Sequence, residues 1–428
     1  MPRETFESTR TFAANLSSND PLAAYRERFY IPKNPDGTDA VYLCGHSLGL
    51  QPKTARAYLE QEMKDWERLG VEGHFHARNP WMPYHELLTA STALLVGALP
   101  EEVVIMNSLT VNLHLLMASF YRPTRERHKI LIEANAFPSD RYAVASQLQF
   151  HGYDPLDSLI EISPRPDETT IRTEDIEAQI DSEGSHIALI LFSGVNYYNG
   201  QAFDLPRITK AGHAQGCVVG FDLAHAAGNL RLNLHDWDVD FAAWCTYKYL
   251  NSGPGGIAGC FVHQRFARDL TLPRFAGWWG HDKQSRFRMG PDFHAIAGAE
   301  GWQLSNPSIL ALATLRASMD IFDETGMERL RAKSESLTGY LQFLLNQTAS
   351  DKFQIITPGD PGDPARRGAQ LSLRVSKNGR ALCDRLAKRG IICDWREPDI
   401  LRVAPVPLYN SFLDAYVFAE EFLTAVEA

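Results

Sequence analysis

Between residues 103 and 262 the chain places short, mostly apolar runs at intervals, separated by longer stretches in which apolar residues recur at helical spacing. The runs lie at 103–106 (VVIM), 129–133 (KILIE), 188–192 (ALILF), 217–222 (CVVGFD), 241–246 (FAAWCT) and 257–262 (IAGCFV). Each is too short for a helix and apolar at successive positions, the pattern of a parallel strand covered on both faces. The stretch 111–120 sets Leu113, Leu116, Met117 and Phe120 on one side, as a helix packed on such a sheet would. Strand alternating with helix predicts an α/β fold with a mostly parallel sheet flanked by helices.

Beyond Pro307 the texture changes. Helical periodicity runs over 309–330 and again over 331–345, then breaks at a Pro/Gly/Asp-rich turn, TPGDPGDPARRG, at 357–368. A strand-like LSLRV, a helix at 381–389, a strand at 391–394 and a final helix from Ser411 follow. The pattern predicts a large domain over 46–310 and a smaller α+β domain made of 1–45 and 311–428. The N-terminal part of that assignment rests on analogy of fold.

Composition narrows the classes. With 428 residues, 44% hydrophobic and 22% charged, the chain has globular character, which excludes disordered, collagen-like and coiled-coil classes. A net charge of −10 argues against a nucleic-acid-binding scaffold. No apolar run approaches the ~18 residues that span a bilayer, so no membrane partner is expected. Cys44, Cys217, Cys245, Cys260, Cys383 and Cys393 are scattered without a CxxC, which reads as reduced, intracellular usage. The first twenty residues hold Arg3, Glu4, Glu7, Arg10 and Asp20 and no apolar segment, so a secretory signal is not expected. The sequons at Asn15 and Asn346 are then chance matches, and a cytoplasmic location is the expectation.

The most informative residue is Lys248, in WCTYKYLNSGPGGIAGC. Trp244, Tyr247 and Tyr249 around it would desolvate an amine and favour its neutral, nucleophilic form. Alone, a lysine there more often reaches out to solvent from a strand end. Asp222 ends another strand, with His225 following in DLAHAAGN, and ligands of open α/β sheets bind beyond strand carboxyl ends. A Lys and an Asp so placed are what pyridoxal phosphate chemistry requires: one joins the cofactor, the other keeps its pyridine nitrogen protonated. Asn107-Ser108-Leu109-Thr110 then opens a helix, where hydroxyls, free N–H groups and the dipole favour a phosphate, though plain N-capping gives the same pattern. His74-Phe75-His76 could offer two metal ligands on one strand face, but without a third ligand no metal is expected. Arg402, alone among apolar residues and prolines, is either a solvated strand end or a carboxylate clamp.

These motifs resemble those of the kynureninase family, pyridoxal phosphate hydrolases of fold type I. The likeness runs from Cys44 nearly to the C-terminus: SLGLQPK (47–53), NSLTVNLHLLMASF (107–120), FPSD (137–140), GVNYYNGQ (194–201), DLAHAAGN (222–229), YKYLNSGPGG (247–256), GWWGH (277–281), LSNPSIL (304–310) and RVAPVPLYNSF (402–412). It implies Lys248 as the Schiff-base lysine and base at Cα, Asp222 as the partner of the pyridine nitrogen, and Tyr247 as a proton shuttle. It places Leu109 and Thr110 at the phosphate and Phe137 on the cofactor ring, with Pro138, Ser139, Asp140, Ser193 and His225 close by. Trp278, the better match than Trp279, and Asn306 complete the cofactor site across a homodimer interface. His74, Ser305 and Asn306 fall near the substrate's aromatic ring, and Arg402 at its α-carboxylate. The implied reaction is hydrolysis of L-kynurenine or 3-hydroxykynurenine to alanine and anthranilate or 3-hydroxyanthranilate. The chain departs from the family at His46, where an Asn is usual. A cysteine desulfurase or selenocysteine lyase, which needs a nucleophilic cysteine on a loop, is the alternative.

Overall fold

The computed structural model describes every residue except 1–5, 268, 270, 349–350, 360–363 and 428. Part of the Pro/Gly turn expected at 357–368 therefore lies outside the described residues. At the centre is a seven-stranded sheet: β1 (Val103–Met106), β2 (Lys129–Glu133), β3 (Leu159–Ile162), β4 (Ile187–Ser193), β5 (Val218–Asp222), β6 (Phe241–Cys245) and β7 (Ala258–Val262). Their spatial order is β1-β7-β6-β5-β4-β2-β3. All run parallel except β7, which is antiparallel to both its neighbours. The six apolar runs are thus strands of one sheet. The seventh strand, β3, is not among the runs read from the sequence: it is an edge strand, only partly buried, and Glu161 at its third position faces solvent.

Alternation explains why both faces are apolar. Val104, Ile130, Ile132, Leu189, Leu191 and Phe241 meet helices α1 (Leu109–Phe120) and α2 (Pro138–Phe150) on one side of the sheet. Ile105, Leu131, Ile190, Phe192, Val219 and Trp244 pack on the other side against the helices at 173–183, 205–214 and 309–325. Glycine makes room for the largest ring: the hydrogen of Gly259 faces the indole of Trp244, which no Cβ could approach so closely. No helix of the described residues is long and apolar enough to cross a membrane.

A third core is separate. It joins Ala13, Val41 and Leu43 from the N-terminal segment with Leu337, Leu371, Leu401, Phe418 and Phe422. Here a four-stranded antiparallel sheet is built from Phe353–Ile355, Leu371–Val375, Asp394–Arg396 and Ile400–Val403. The long helical stretch breaks at Gly326, whose φ of +70° ends Ile309–Thr325, and not near residue 330 as the periodicity predicts. The single strand expected at 391–394 is two pieces: Ile391–Ile392 pairs in parallel with Val41–Tyr42, and Asp394–Arg396 belongs to the four-stranded sheet.

Candidate active site

The carboxyl ends of β1, β2, β4, β5 and β6 surround one cavity of about 260 Å³. Each strand releases a functional segment as its apolar run stops. After β1, Asn107 turns the chain through a left-handed conformation (φ +49°), and Ser108 caps α1 with extended backbone and no side-chain bond to the helix. The first N–H groups of α1 therefore face the cavity together with Ser108, Leu109 and Thr110. Helix α2 begins alongside, with Phe137 at its cap and Pro138 in its first turn. The hydroxyls of Thr110 and Ser139 lie 2.8 Å apart, tying the two helix starts together. Phe137 leans into the cavity 43% exposed and packs edge-on to Tyr197 at 5.2 Å.

On the opposite wall, Lys248 follows β6 with its Nζ 3.0 Å from Nε2 of His225 and 5.8 Å from the Phe137 ring centre. Burial first, and then the charge of Lys248, pushes the His225 imidazole well below its ordinary range. The ring is therefore neutral and accepts a hydrogen bond from the amine, while its buried Nδ1 has no partner. Tyr247 is raised above the usual phenol range, chiefly by burial, and so keeps its proton. The backbone of this segment is seated by Gly49, whose N–H donates to the Tyr247 carbonyl at 2.8 Å.

Acids occupy the floor. Asp222, paired in register with Ser193 across β4 and β5, accepts the Ala224 N–H at 2.6 Å. Burial raises both Asp222 and Asp140, and at Asp140 the neighbouring Asp222 charge adds to the effect. Burial also raises Glu133, at the end of β2, to about 7, although Ser193 donates to it through its N–H at 3.2 Å and through its hydroxyl. Glu133 and Tyr197 escape a sequence reading. One ends an apolar run as any solvated residue would, and the other is an ordinary tyrosine in a loop.

The donor set fits pyridoxal phosphate. Hydroxyls and helix N–H groups suit the phosphate, Asp222 suits the pyridine nitrogen, Phe137 can cover the ring, and Lys248 is the amine for its aldehyde. The partnerless His225 Nδ1 is a buried polar atom left for a ligand.

Other expected residues stand apart from this wall. Arg402 is 1% exposed and lies behind Tyr197, donating to the Tyr197 carbonyl at 2.6 Å and ion-paired with Asp394. Its Nε has no partner. His46, the departure from the family, is fully buried 3.4 Å from the same Asp394 carboxylate. Burial and then Arg402 push His46 down to about 4, so it is neutral. His74 sits on a short helix, Gly73–His76, rather than on a strand, and its Nδ1 lies 2.9 Å from the Val71 carbonyl. Trp278 is 39% exposed, whereas Trp279 is 1% exposed and sealed under Arg286. Ser305 and Asn306 are also exposed. None of His74, Trp278, Ser305 and Asn306 lines the cavity, and neither does any cysteine.

Fold and site together define a pyridoxal phosphate enzyme of fold type I. Residues 41–365 match the aminotransferase class-V family, and residues 330–422 match the kynureninase C-terminal domain. The chain is 66% identical over 423 residues to a kynureninase of Koribacter versatilis, covering 99% of both chains. It is 60% identical over 415 residues to that of Myxococcus xanthus, covering 97% of each. The chain belongs to the kynureninase family. Among solved structures, a cysteine desulfurase from Thermococcus onnurineus NA1 superposes with a TM-score of 0.75 at 16% identity, over 97% of this chain and 98% of that one. The cysteine desulfurase CsdA of Escherichia coli gives 0.75 at 16% identity, over 95% and 98%. At that identity they share the fold alone.

Proposed function

We propose that the chain hydrolyses the Cβ–Cγ bond of L-kynurenine or 3-hydroxy-L-kynurenine, yielding L-alanine and anthranilate or 3-hydroxyanthranilate. The convergence of Lys248 and Asp222 on one cavity, in a chain of this family, carries the reading. Bound pyridoxal phosphate supplies the electron sink that makes a Cα proton of the substrate removable. Leu109, Thr110 and the start of α1 hold its phosphate, Phe137 covers its ring with Pro138, Ser139, Asp140, Ser193 and His225 around it, and Asp222 holds its ring nitrogen charged. Lys248 is the base at Cα, because a neutral His225 at 3.0 Å accepts its hydrogen bond without adding a positive charge. Tyr247, protonated across the working range, donates a proton to the product carbon. Arg402 receives the substrate α-carboxylate, with Asp394 as its counter-ion in the free enzyme.

The active unit in this reading is a homodimer. Trp278 and Asn306 of each subunit reach the cofactor site of the other, and His74, Ser305 and Asn306 flank the aromatic ring of the substrate. The exposure of Trp278, Ser305 and Asn306 on the free chain supports that role. In this reading the chain divides into a small domain of 1–45 and 311–428 and a large cofactor domain over 46–310. The separate third core, which joins Ala13, Val41 and Leu43 to residues from Leu337 onward, supports the small domain, while the helix at 309–325 packs on the large sheet. The protein acts in the cytoplasm in tryptophan breakdown or NAD synthesis.

Incubating the holoenzyme with L-kynurenine should release anthranilate and alanine in equal amounts. Formation of alanine from L-cysteine, with sulfide released when dithiothreitol is present as reductant and no anthranilate from kynurenine, would establish a desulfurase instead. That alternative is disfavoured by the lack of any cysteine on the cavity wall.

A further inference from the structure

We propose that Cys383 and Cys393 are a modification site: a thiol pair that hydrogen peroxide oxidises to a disulfide. Their sulfurs lie 3.5 Å apart, one on the helix Gly379–Lys388 and the other in the connection between Ile391–Ile392 and the strand Asp394–Arg396. A disulfide places its sulfurs at about 2.05 Å, so closure asks for an approach of roughly 1.5 Å, within reach of rotation about two side-chain bonds. Both residues are half-buried and open to a small oxidant, whereas Cys44, Cys217, Cys245 and Cys260 are buried.

The two thiols are not equivalent. The hydrogen bond from Cys393, with Arg380 nearby, holds Cys383 below the usual thiol range, and the same bond together with burial drives Cys393 up. Cys383 is therefore the nucleophile and Cys393 the resolving thiol. The Cys383 thiolate attacks one peroxide oxygen and the O–O bond breaks; the departing oxygen takes the electron pair and a proton and leaves as water. The sulfenic acid so formed is attacked by the Cys393 sulfur, its S–O bond breaks, and a second water leaves. Two thiols lose two electrons and two hydrogens, and one peroxide becomes two waters.

Selectivity comes from the third sulfur nearby. Cys44 points to the Ile392 carbonyl at 3.6 Å, and burial pushes its thiol up to about 12, so it does not compete as a thiolate. The bond would clip the helix to the residue directly before Asp394, the counter-ion of Arg402.

The test is a peptide map of the holoenzyme after brief exposure to hydrogen peroxide, quenched with iodoacetamide and digested with trypsin without reductant. Peptides 381–385 and 390–396 should appear joined and should separate on adding dithiothreitol. In Cys383→Ser the joined pair should vanish and Cys393 should be alkylated in full, with the absorption of the bound cofactor unchanged. Wild-type protein in which both peptides stay separately alkylated, in which Cys383 passes to the sulfinic acid unjoined, or in which Cys393 is joined to Cys44, would overturn the proposal. Because the wild-type map decides by itself, a variant that fails to fold leaves the test intact.

Discussion

Arg402→Lys tests the substrate clamp, and the surroundings of Arg402 set the size of the effect. The guanidinium is almost wholly buried, with one nitrogen donating to the Tyr197 carbonyl at 2.6 Å, another paired with Asp394, and Nε without a partner. A substrate carboxylate can be received only by the donors still free or by displacing Asp394. Lysine keeps the charge but offers a single nitrogen, which cannot hold Tyr197, face Asp394 and receive a carboxylate together. At least one charge-assisted hydrogen bond to the substrate is lost, about 1.5–3 kcal/mol, so kcat/KM for L-kynurenine should fall roughly ten- to 150-fold. The assay is steady-state anthranilate formation by the variant, with cofactor absorption and melting temperature as controls for folding. Arg396→Lys is the matched comparison, since Arg396 meets the same Asp394 at 3.1 Å but is 40% exposed; it should change kcat/KM little. An Arg402→Lys enzyme with wild-type kcat/KM, or an Arg396→Lys enzyme equally impaired, would refute the clamp.

Glu133, fully buried and raised from 4.5 to about 7, favours the folded state only while it keeps its proton. Wild-type stability should therefore be lost as pH rises from 4.5 through about 7, by ~3 kcal/mol relative to a permanently neutral side chain. The melting temperature of Glu133→Gln should gain on wild type from about pH 5 to about pH 8, and a gap that stays constant with pH would contradict the burial argument. For the shared site, mixing Lys248→Ala and Trp278→Ala proteins should restore activity through hybrid dimers carrying one intact site. Hybrids confirmed by mass but inactive would place Trp278 outside the partner's site.

The sheet was legible because its strands are buried on both faces, which writes uninterrupted apolar runs such as ALILF and FAAWC into the chain. The reversal of β7 was not, since an apolar run has no direction; only the Gly/Pro turn at 253–256 hints at it. His74 was misplaced on a strand because alternation over three residues, HFH, fits a helical turn equally well. Lys248, Asp222 and the Ser108–Thr110 helix start were legible as candidates because they stand where apolar runs stop and make sense only together; the structure puts all of them on one cavity. Glu133 and Asp394 were not: their importance lies in burial and in partners sixty and eight residues away, Ser193 and Arg402, which sequence spacing does not reveal. Arg402 stood out as a lone cation, but its counter-ion could only be found in three dimensions.

Borohydride reduction of the holoenzyme followed by peptide mapping asks directly whether the cavity at the strand ends is the cofactor site and Lys248 its covalent residue. The cofactor mass should be fixed to the peptide containing Lys248 and to no other, and Lys248→Ala should retain no fixed cofactor and form no anthranilate. Cofactor fixed to a different lysine, or turnover surviving in Lys248→Ala, would contradict the assignment.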